Sequence, residues 1–184
     1  MIDAALARRI RLLGLDVDGV LTDNGIYVGP VDGQVVELKR FNIQDGLGQV
    51  LMRTAGLPVV WVSGRHSEAT AARARELRVE EVLQVPGPRK LEAFGALLER
   101  RGIAWDEAAF VGDDLADLQV LRRVGLPIAV ANAVAEVKAV AAYVTTASGG
   151  HGAVREAIEA LLRARGEWEE LLERYFAEPA ARVV

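Results

Sequence analysis

Short apolar segments alternate with longer amphipathic segments along most of this chain, and this alternation restricts the fold more than any other feature. Strands separated by helices form mostly parallel sheets, because each helical crossover returns the chain to the same end of the sheet. We therefore predict an α/β fold, a mostly parallel sheet with helices on both faces. Strands are predicted at 11–17, 57–63, 81–85, 108–111, 127–130 and 143–145, and helices at 44–55, 67–77, 88–101, 115–123, 134–140 and 153–165.

A β-hairpin and a C-terminal tail fall outside this pattern. Segments 25–28 and 34–41 are predicted strands joined by a turn over 29–33, which makes a small β-hairpin insertion after the first strand, at about 25–41. The chain has 184 residues, enough for one domain but not for a large second lid domain. We predict a single domain over 1–165, no cap domain, and a helical tail over 166–184 that packs on this domain or on a neighbour.

The composition disfavours several classes of protein. The chain has no cysteine and only two histidines, which excludes disulfides and thiolate chemistry and disfavours a histidine-ligated metal site. A net charge of −4 gives no sign of a nucleic-acid partner. The sequence has neither a signal-peptide pattern nor an apolar stretch long enough to span a bilayer. We therefore expect no membrane partner and a cytoplasmic location.

Carboxylates concentrate after two of the predicted sheet strands. Asp16 and Asp18 stand where the first strand ends, and side chains two apart on an extended strand point the same way. Asp113, Asp114 and Asp117 follow the fourth strand and open a helix, where capping alone would need only one of them. Because the carboxyl ends of parallel strands share one edge of the sheet, we predict an all-oxygen site there for Mg²⁺, a hard cation.

Two further elements are typical of an anion site. Ser63, Gly64 and Arg65 stand at a strand-to-helix turn, where a hydroxyl and free backbone N–H groups can bind phosphate, although Ser63 could equally cap the next helix. Lysines are scarce, so a lysine inside a motif is informative. Lys90 lies at a predicted helix start, where the dipole disfavours a cation, so it is either held by an anion or a solvated surface residue. The chain has three lysines among its 22 basic residues, Lys39, Lys90 and Lys138.

Together these elements predict phosphoryl transfer. One carboxylate can attack phosphorus to form an aspartyl-phosphate, and a second can protonate the leaving alkoxide and then activate water. Mg²⁺, a lysine and backbone amides offset the charge on the transferring group. The sequence has no Walker-type phosphate loop, no dinucleotide-binding glycine motif and no Gly-x-Ser-x-Gly motif, so those classes lack support.

The order of these motifs resembles the haloacid dehalogenase superfamily, which implies its Rossmann-like fold. The detail is similar to a capless branch, the phosphatases of 3-deoxy-D-manno-octulosonate 8-phosphate (KDO 8-phosphate), over residues 11–162. The motifs that carry this resemblance are Asp-Val-Asp-Gly-Val-Leu-Thr-Asp at 16–23, Phe-Asn-Ile-Gln-Asp-Gly-Leu-Gly at 41–48, Ser-Gly-Arg at 63–65, Val-Gly-Asp-Asp-Leu-Ala-Asp at 111–117, Ala-Tyr-Val-Thr at 142–145 and Gly-Gly-His-Gly-Ala-Val-Arg-Glu at 149–156.

The resemblance implies an Mg²⁺-dependent phosphatase that hydrolyses a sugar-acid phosphomonoester, KDO 8-phosphate first, through an aspartyl-phosphate. By this resemblance Asp16 is the nucleophile, and Asp18 is the general acid and base and gives Mg²⁺ its backbone carbonyl. Asp16 and Asp113 complete the protein ligands of the metal, with Asp114 and Asp117 supporting them.

The resemblance also implies the binding residues and the assembly. The phosphate is bound by Ser63, the Gly64 amide and Lys90. The sugar-acid site is matched by four further residues, Arg65, Arg73, Asn42 and Asp45. In this branch the hairpin takes part in a homotetramer whose neighbouring subunit helps close each active site.

Two departures from the branch keep other substrates open. Many of these phosphatases have arginine where this chain has Gln44 and His151. Both changes remove a fixed positive charge that would attract the carboxylate of a sugar acid. A nonulosonate (sialic-acid-like) 9-phosphate and a broad range of sugar phosphates are therefore alternative substrates. A non-catalytic oligomeric scaffold is a weaker alternative because the motif residues are intact, and a phosphomutase or dehalogenase is weaker still.

Overall fold

The computed structural model describes residues 1–177 and has the alternating order that the sequence predicts. The strands are β1 (Leu12–Leu15), β2 (Tyr27–Val31), β3 (Gln34–Leu38), β4 (Val59–Ser63), β5 (Glu81–Gln84), β6 (Ala108–Gly112), β7 (Leu126–Ala129) and β8 (Tyr143–Val144). The helices are α1 (Ala4–Arg9), α2 (Ile43–Thr54), α3 (Glu68–Glu76), α4 (Lys90–Arg100), α5 (Leu118–Leu121), α6 (Ala135–Val140), α7 (Ala153–Arg165) and α8 (Trp168–Ala177).

Six strands form one sheet in the order β5-β4-β1-β6-β7-β8, and every pair in it is parallel. β1 therefore lies between β4 and β6, the two strands that end in the other polar motifs. Their carboxyl ends share one edge, so the order of strands gathers the three motifs at the centre of the sheet.

Helices cover the sheet on both faces, as predicted. α2 packs on α7, which also contacts α1 and α8, while α5 contacts α4 and α6. Right-handed crossovers account for this division, because connections running in opposite directions along a parallel sheet place their helices on opposite faces. The strands β1, β4 and β6 are buried throughout and form the middle of the hydrophobic core.

The predicted hairpin is a separate two-stranded antiparallel sheet formed by β2 and β3. Its strands differ from the predicted 25–28 and 34–41, and its turn differs from the predicted 29–33. The turn consists of Asp32 and Gly33 alone rather than of residues 29–33, because Val31 pairs directly with Gln34 and the strands extend to that point. Asp32 and Gly33 both have positive φ, which suits a tight two-residue hairpin turn.

The helices differ most from the prediction at α1, α4 and α5. The six-residue α1 was not predicted, because it is too short to show a helical period; Asp3 caps it by accepting from the N–H of Leu6. The helix predicted at 115–123 is a 3-10 turn over 115–117 followed by the short α5, and a 3-10 turn over 87–89 precedes α4. The side chain of Asp117 accepts a hydrogen bond from the N–H of Asp113, which tightens the 3-10 turn over 115–117.

The start of the predicted tail is helical and packs on the domain. Trp168 and Leu171 of α8 are buried in the common core. The rest of the tail, 178–184, lies outside the described residues, and the division at 165/166 stays a prediction. Within residues 1–177, no helix combines the length and the apolar character needed to cross a bilayer.

Candidate active site

Asp16, the first residue after β1, is the central carboxylate of the site. It is buried, and its Oδ1 lies 2.6 Å from Nζ of Lys90, the first residue of α4. The same ammonium donates to Oδ1 of Asp117 at 2.8 Å. Lys90 is therefore held at the start of a helix by two carboxylates. The alternative of a solvated surface lysine is wrong, because the Lys90 side chain is buried.

Asp16, Asp113 and Asp117 form a carboxylate cluster at the ends of β1 and β6. One oxygen of each lies within 4.8 Å of the others, and all three residues are buried. Asp113 follows β6 directly, and β6 pairs in parallel with β1. The sheet itself thus brings the two aspartate motifs together.

The cluster carries more negative charge than its protein partners neutralise. Burial raises the pKa of Asp16 well above its ordinary value, Asp117 raises it further, and Lys90 lowers it. Burial, followed by the charge of Asp117, raises the pKa of Asp113 to about 7. Three buried carboxylates facing one ammonium need a further cation or a proton to be stable at neutral pH.

Mg²⁺ fits this unmet charge. Oδ1 of Asp113 is buried and has no hydrogen-bond partner among the described residues, which is unusual for a buried carboxylate oxygen. Gly19, with φ of 91°, passes so close to Asp113 that a Cβ there would overlap its Oδ2. The donors are hard oxygens, which Mg²⁺ prefers. Asp16 and Asp113 can therefore hold this cation beside the backbone at 18–19.

The other two aspartates after β6 are occupied within the protein. Oδ1 of Asp117 accepts from Lys90, and its Oδ2 accepts from the N–H of Asp113 at 3.1 Å. Asp114 accepts from the N–H of Leu115 at 2.7 Å and so caps the following turn. Asp114 therefore serves as a cap, while Asp117 orients the Lys90 side chain and the backbone N–H of Asp113.

Asp18 stands apart from the carboxylate cluster. Its Oδ1 accepts from Nζ of Lys39 at 2.6 Å, and 21% of the Asp18 side chain is exposed. The two aspartates of the first motif therefore face different surroundings. Asp16 is enclosed with the other carboxylates, whereas Asp18 is partly open to solvent and is held by a lysine that follows β3.

Ser63 ends β4 at the same edge of the sheet. Its hydroxyl donates to the carbonyl of Arg65 at 3.0 Å and accepts from the N–H of the same residue at 3.3 Å. Ser67 caps α3 instead, accepting from the N–H of Thr70 at 3.2 Å. The alternative that Ser63 is the helix cap is therefore wrong. Because β4 pairs with β1, Ser63 and Gly64 lie at the strand end beside that of Asp16.

The glycine-rich loop at 149–152 rests against the loop that follows Asp18. A Cβ on Gly149 would overlap the carbonyl oxygen of Gly19, so the two backbones meet with no room for a side chain. Asn132 joins them, because its Nδ2 donates to that carbonyl at 3.0 Å and its Oδ1 accepts from the N–H of Gly149 at 2.6 Å. This contact fixes the backbone beside the carboxylates.

Comparisons with known proteins agree with this geometry. A family model of haloacid dehalogenase-like hydrolases matches residues 81–158. The KDO 8-phosphate phosphatase of Escherichia coli (strain K12) is 44% identical over 166 residues, which cover 90% of this chain and 86% of that protein. The chain belongs to the KDO 8-phosphate phosphatase family. It is therefore a phosphoric monoester hydrolase of the haloacid dehalogenase superfamily, as the motifs predict.

Solved structures of this family share the fold described above. The phosphatase from Moraxella catarrhalis, in complex with magnesium, phosphate and KDO, matches with a TM-score of 0.87 at 35% identity, covering 94% of this chain and 97% of that one. The phosphatase from Yersinia pestis matches with a TM-score of 0.85 at 38% identity, covering 90% and 88%. The predicted fold class is thus confirmed. The predicted cofactor, Mg²⁺, is likewise supported, because a solved structure of this family contains it.

Two of the four residues matched to the family's sugar-acid site are engaged as helix caps. Asn42 caps α2 by accepting from the N–H of Gln44 at 2.7 Å. Asp45 accepts from the N–H groups of Gly152 and Arg155, at 3.3 and 2.8 Å, and so ties α2 to the start of α7. Burial raises the pKa of Asp45, and these hydrogen bonds oppose the rise.

The two arginines of the same set keep unused donors. Arg65 donates from one terminal nitrogen to Glu37 at 2.6 Å, while its buried Nη1 has no partner among the described residues. Arg73 pairs with Glu76 at 2.7 Å, and its buried Nε is likewise unpartnered in the described part of the chain. Arg65 lies in the loop between β4 and α3, and Arg73 lies in the last turn of α3.

Two residues that contact the site were not predicted as site residues from the sequence, Lys39 and Asn132. Lys39 contacts Asp18 from 21 residues along the chain, and Asn132 contacts Gly19 from 113 residues along it. The scarcity of lysine was the only sequence signal that could have pointed to Lys39. Asn132 carries no such signal, because a single asparagine after a strand is typical of an ordinary turn.

Proposed function

We propose that this chain hydrolyses KDO 8-phosphate to KDO and inorganic phosphate through a phosphorylated aspartate. The observation that carries the proposal is the buried pair of Asp16 and Lys90, 2.6 Å apart, beside Asp113 at the ends of the central strands. Phosphoryl transfer needs such a nucleophile with positive charge next to it. The substrate is supported by relatives at 44% identity that are named for KDO 8-phosphate.

The two carboxylates of the first motif divide the chemistry. An oxygen of Asp16 attacks phosphorus, the bond between phosphorus and the sugar oxygen breaks, and Asp18 gives its proton to that oxygen. Asp18 then takes a proton from water as the water oxygen attacks phosphorus, and the bond to Asp16 breaks. The partial exposure of Asp18 suits this role, because the leaving group and the water both arrive from outside.

The phosphate is proposed to bind beside Asp16. Lys90 supplies the fixed positive charge, and the N–H of Gly64 supplies a neutral donor at the neighbouring strand end. The hydroxyl of Ser63 supplies a second donor by turning from the carbonyl of Arg65 to the phosphate. Bound Mg²⁺ adds positive charge that offsets the charge on the transferring phosphoryl group. Asp16 and Asp113, together with the carbonyl of Asp18, are the proposed protein ligands, and Asp114 and Asp117 support them from outside.

The sugar acid is proposed to extend toward α3. Arg65 and Arg73 have the unpartnered buried nitrogens described above, and an arginine with a free donor is well suited to a carboxylate. Asn42 and Asp45 stay candidates at the start of α2, where their side chains also serve as caps. A multiply charged sugar-acid phosphate does not cross a bilayer unaided, so we place the enzyme in the cytoplasm, where such a substrate would be made.

A substrate panel tests the proposed specificity. We expect kcat/KM for KDO 8-phosphate to exceed that for glucose 6-phosphate by at least about 100-fold, because a buried arginine without its carboxylate partner penalises the wrong substrate. Phosphate release is measured with Mg²⁺ present, and a nonulosonate 9-phosphate is the third substrate. A preference for the nine-carbon ester would reassign the sugar acid, and equal rates on all three would contradict a dedicated role.

The hairpin supports a further proposal, a homotetramer with shared active sites. Four apolar side chains of the hairpin are each at least 60% exposed: Tyr27, Val28, Val35 and Leu38. Cross-strand partners share a face, so Tyr27 and Leu38 lie on one face of the ribbon and Val28 and Val35 on the other. A two-stranded ribbon exposing apolar residues on both faces is marginal in water, and patches of this kind mark interfaces. We propose that copies of this chain cover them.

Light scattering tests the assembly. We expect a mass of about four chains for the native protein and a smaller mass for Leu38→Glu, because like charges would meet across a symmetric apolar contact. Val144→Glu is the matched control, since Val144 is an exposed apolar residue on the edge strand β8, away from the hairpin. A native mass near one chain would contradict the proposal, as would equal masses for both variants above that of one chain.

A further inference from the structure

A buried lysine reaches the second aspartate of the first motif. Nζ of Lys39 lies 2.6 Å from Oδ1 of Asp18 and 3.2 Å from Oγ1 of Thr70, and none of the Lys39 side chain is exposed. An ion pair on a protein surface contributes little, but a lysine enclosed to this degree is held in one geometry. The pair therefore fixes where the carboxylate of Asp18 points.

From this geometry we infer that Lys39 is the positioning residue for the acid and base of the reaction. The inference rests on the proposed function, in which Asp18 protonates the leaving oxygen. Lys39 does not touch the substrate; it holds Oδ1 of Asp18, which leaves Oδ2 as the oxygen that exchanges the proton. A catalytic group must be oriented to within a fraction of an ångström, and a shift of about 1 Å can cost about 100-fold in rate.

The surroundings of Lys39 distinguish positioning from a purely structural role. The hairpin is attached to the α3 region by another residue, because Glu37 accepts from Arg65 at 2.6 Å and from the hydroxyl of Ser67. Nζ of Lys39 also lies 3.9 Å from Oε1 of Glu37, but the two hydrogen bonds of Glu37 do not involve Lys39. Loss of Lys39 therefore leaves both of these hydrogen bonds in place.

The first aspartate of the motif has a lysine of its own. Lys90 holds Asp16 from α4, whereas Lys39 holds Asp18 from the hairpin. The two pairs share no atom, so each lysine can be removed while the other pair remains. Loss of Lys39 should therefore impair proton transfer and leave the nucleophile in place.

Leaving-group dependence tests this inference. Lys39→Met should lower kcat/KM for KDO 8-phosphate by about 100-fold, because an alkoxide leaves only with a proton. It should change kcat/KM for 2,4-dinitrophenyl phosphate by less than about threefold, since the acidic phenol leaves as an anion without one. The kcat/KM ratio reports steps up to release of the leaving group, so the later base role of Asp18 does not enter it.

Controls separate this result from other failures. Lys138→Met removes the exposed lysine on α6 and should leave both substrates unaffected. Asp18→Asn should reproduce the selectivity of Lys39→Met. If Lys39→Met lowered kcat/KM equally for both substrates, or for neither, the positioning role would be overturned. The proposed function would still stand if Asp18→Asn showed the selectivity. A native enzyme that hydrolyses neither ester would overturn both.

Chemical rescue gives a second measurement that does not depend on the methionine variant. The chain has no cysteine, so Lys39→Cys introduces a unique thiol. Alkylating the unfolded variant with 2-bromoethylamine and refolding it restores an ammonium on a side chain close to lysine in length. We expect this product to be at least about tenfold more active on KDO 8-phosphate than the same variant capped with iodoacetamide. Equal activity of the two products would contradict the inference.

Discussion

Replacing Asp16 by asparagine is expected to lower kcat for KDO 8-phosphate by at least about 10⁴-fold, because the amide cannot form the phosphorylated intermediate. Asp16 is the only residue of the carboxylate cluster that both contacts Lys90 and keeps an oxygen free of the described hydrogen bonds. The asparagine side chain has nearly the same volume as the aspartate it replaces, so the fold should persist. Steady-state phosphate release and thermal unfolding measure the two effects separately.

Asp3→Asn is the matched control for this change. Asp3 caps α1 at a distance from the site, and asparagine caps a helix about as well as aspartate. This variant should keep full activity and stability. If Asp16→Asn kept full turnover, the assignment of Asp16 as the nucleophile would be wrong, and the carboxylate cluster would be a metal site alone.

Removal of the charge on Lys90 is expected to have the second largest effect. Although burial lowers the pKa of Lys90, the charges of Asp16 and Asp117 raise it above its ordinary value, so the side chain is a cation at any assay pH near neutrality. Lys90→Met should lower kcat/KM by about 10²–10³-fold, because a preorganised positive charge beside the phosphoryl group is lost. The change also leaves two buried carboxylates without their cation, which should cost about 3–5 kcal/mol of unfolding free energy.

Kinetics at saturating Mg²⁺ and urea denaturation measure these two losses. Lys138→Met again serves as the control, since it removes a lysine of the same length from an exposed position. If Lys90→Met kept native kcat/KM, the proposed phosphate contact would be wrong even though the ion pair exists. If it lost activity without losing stability, the stabilising role of the buried ion pair would be wrong instead.

The fold was predictable from the sequence because its strands are apolar and its motifs follow them directly. The predicted strands at 11–17, 57–63 and 108–111 match β1, β4 and β6. Short elements were predicted less well. The six residues of α1 show no period, and the turn before α5 is shaped by a side-chain contact of Asp117 that a local pattern does not reveal.

The candidate site was predictable to the extent that its residues stand next to strands. Asp16, Ser63 and Asp113 lie at adjacent strand ends because β1 lies between β4 and β6, and the sequence already placed all three at strand ends. Lys39 is different, because its contact with Asp18 depends on how the hairpin folds over the sheet edge. Such a contact between a loop and a hairpin has no sequence spacing of its own, so only the three-dimensional structure revealed it.

Trapping the intermediate tests the central claim most directly. The enzyme is mixed with KDO 8-phosphate and Mg²⁺, quenched during turnover and treated with borohydride, which reduces an acyl phosphate to an alcohol. We predict that peptide mass spectrometry finds the aspartate at position 16 converted to homoserine, and that Asp18 and Asp113 are unchanged. Asp18→Asn supplied with 2,4-dinitrophenyl phosphate should accumulate the intermediate, because its formation from this ester needs no acid while its hydrolysis needs the base. Reduction at another carboxylate would contradict the account, as would the absence of any reduction in both experiments.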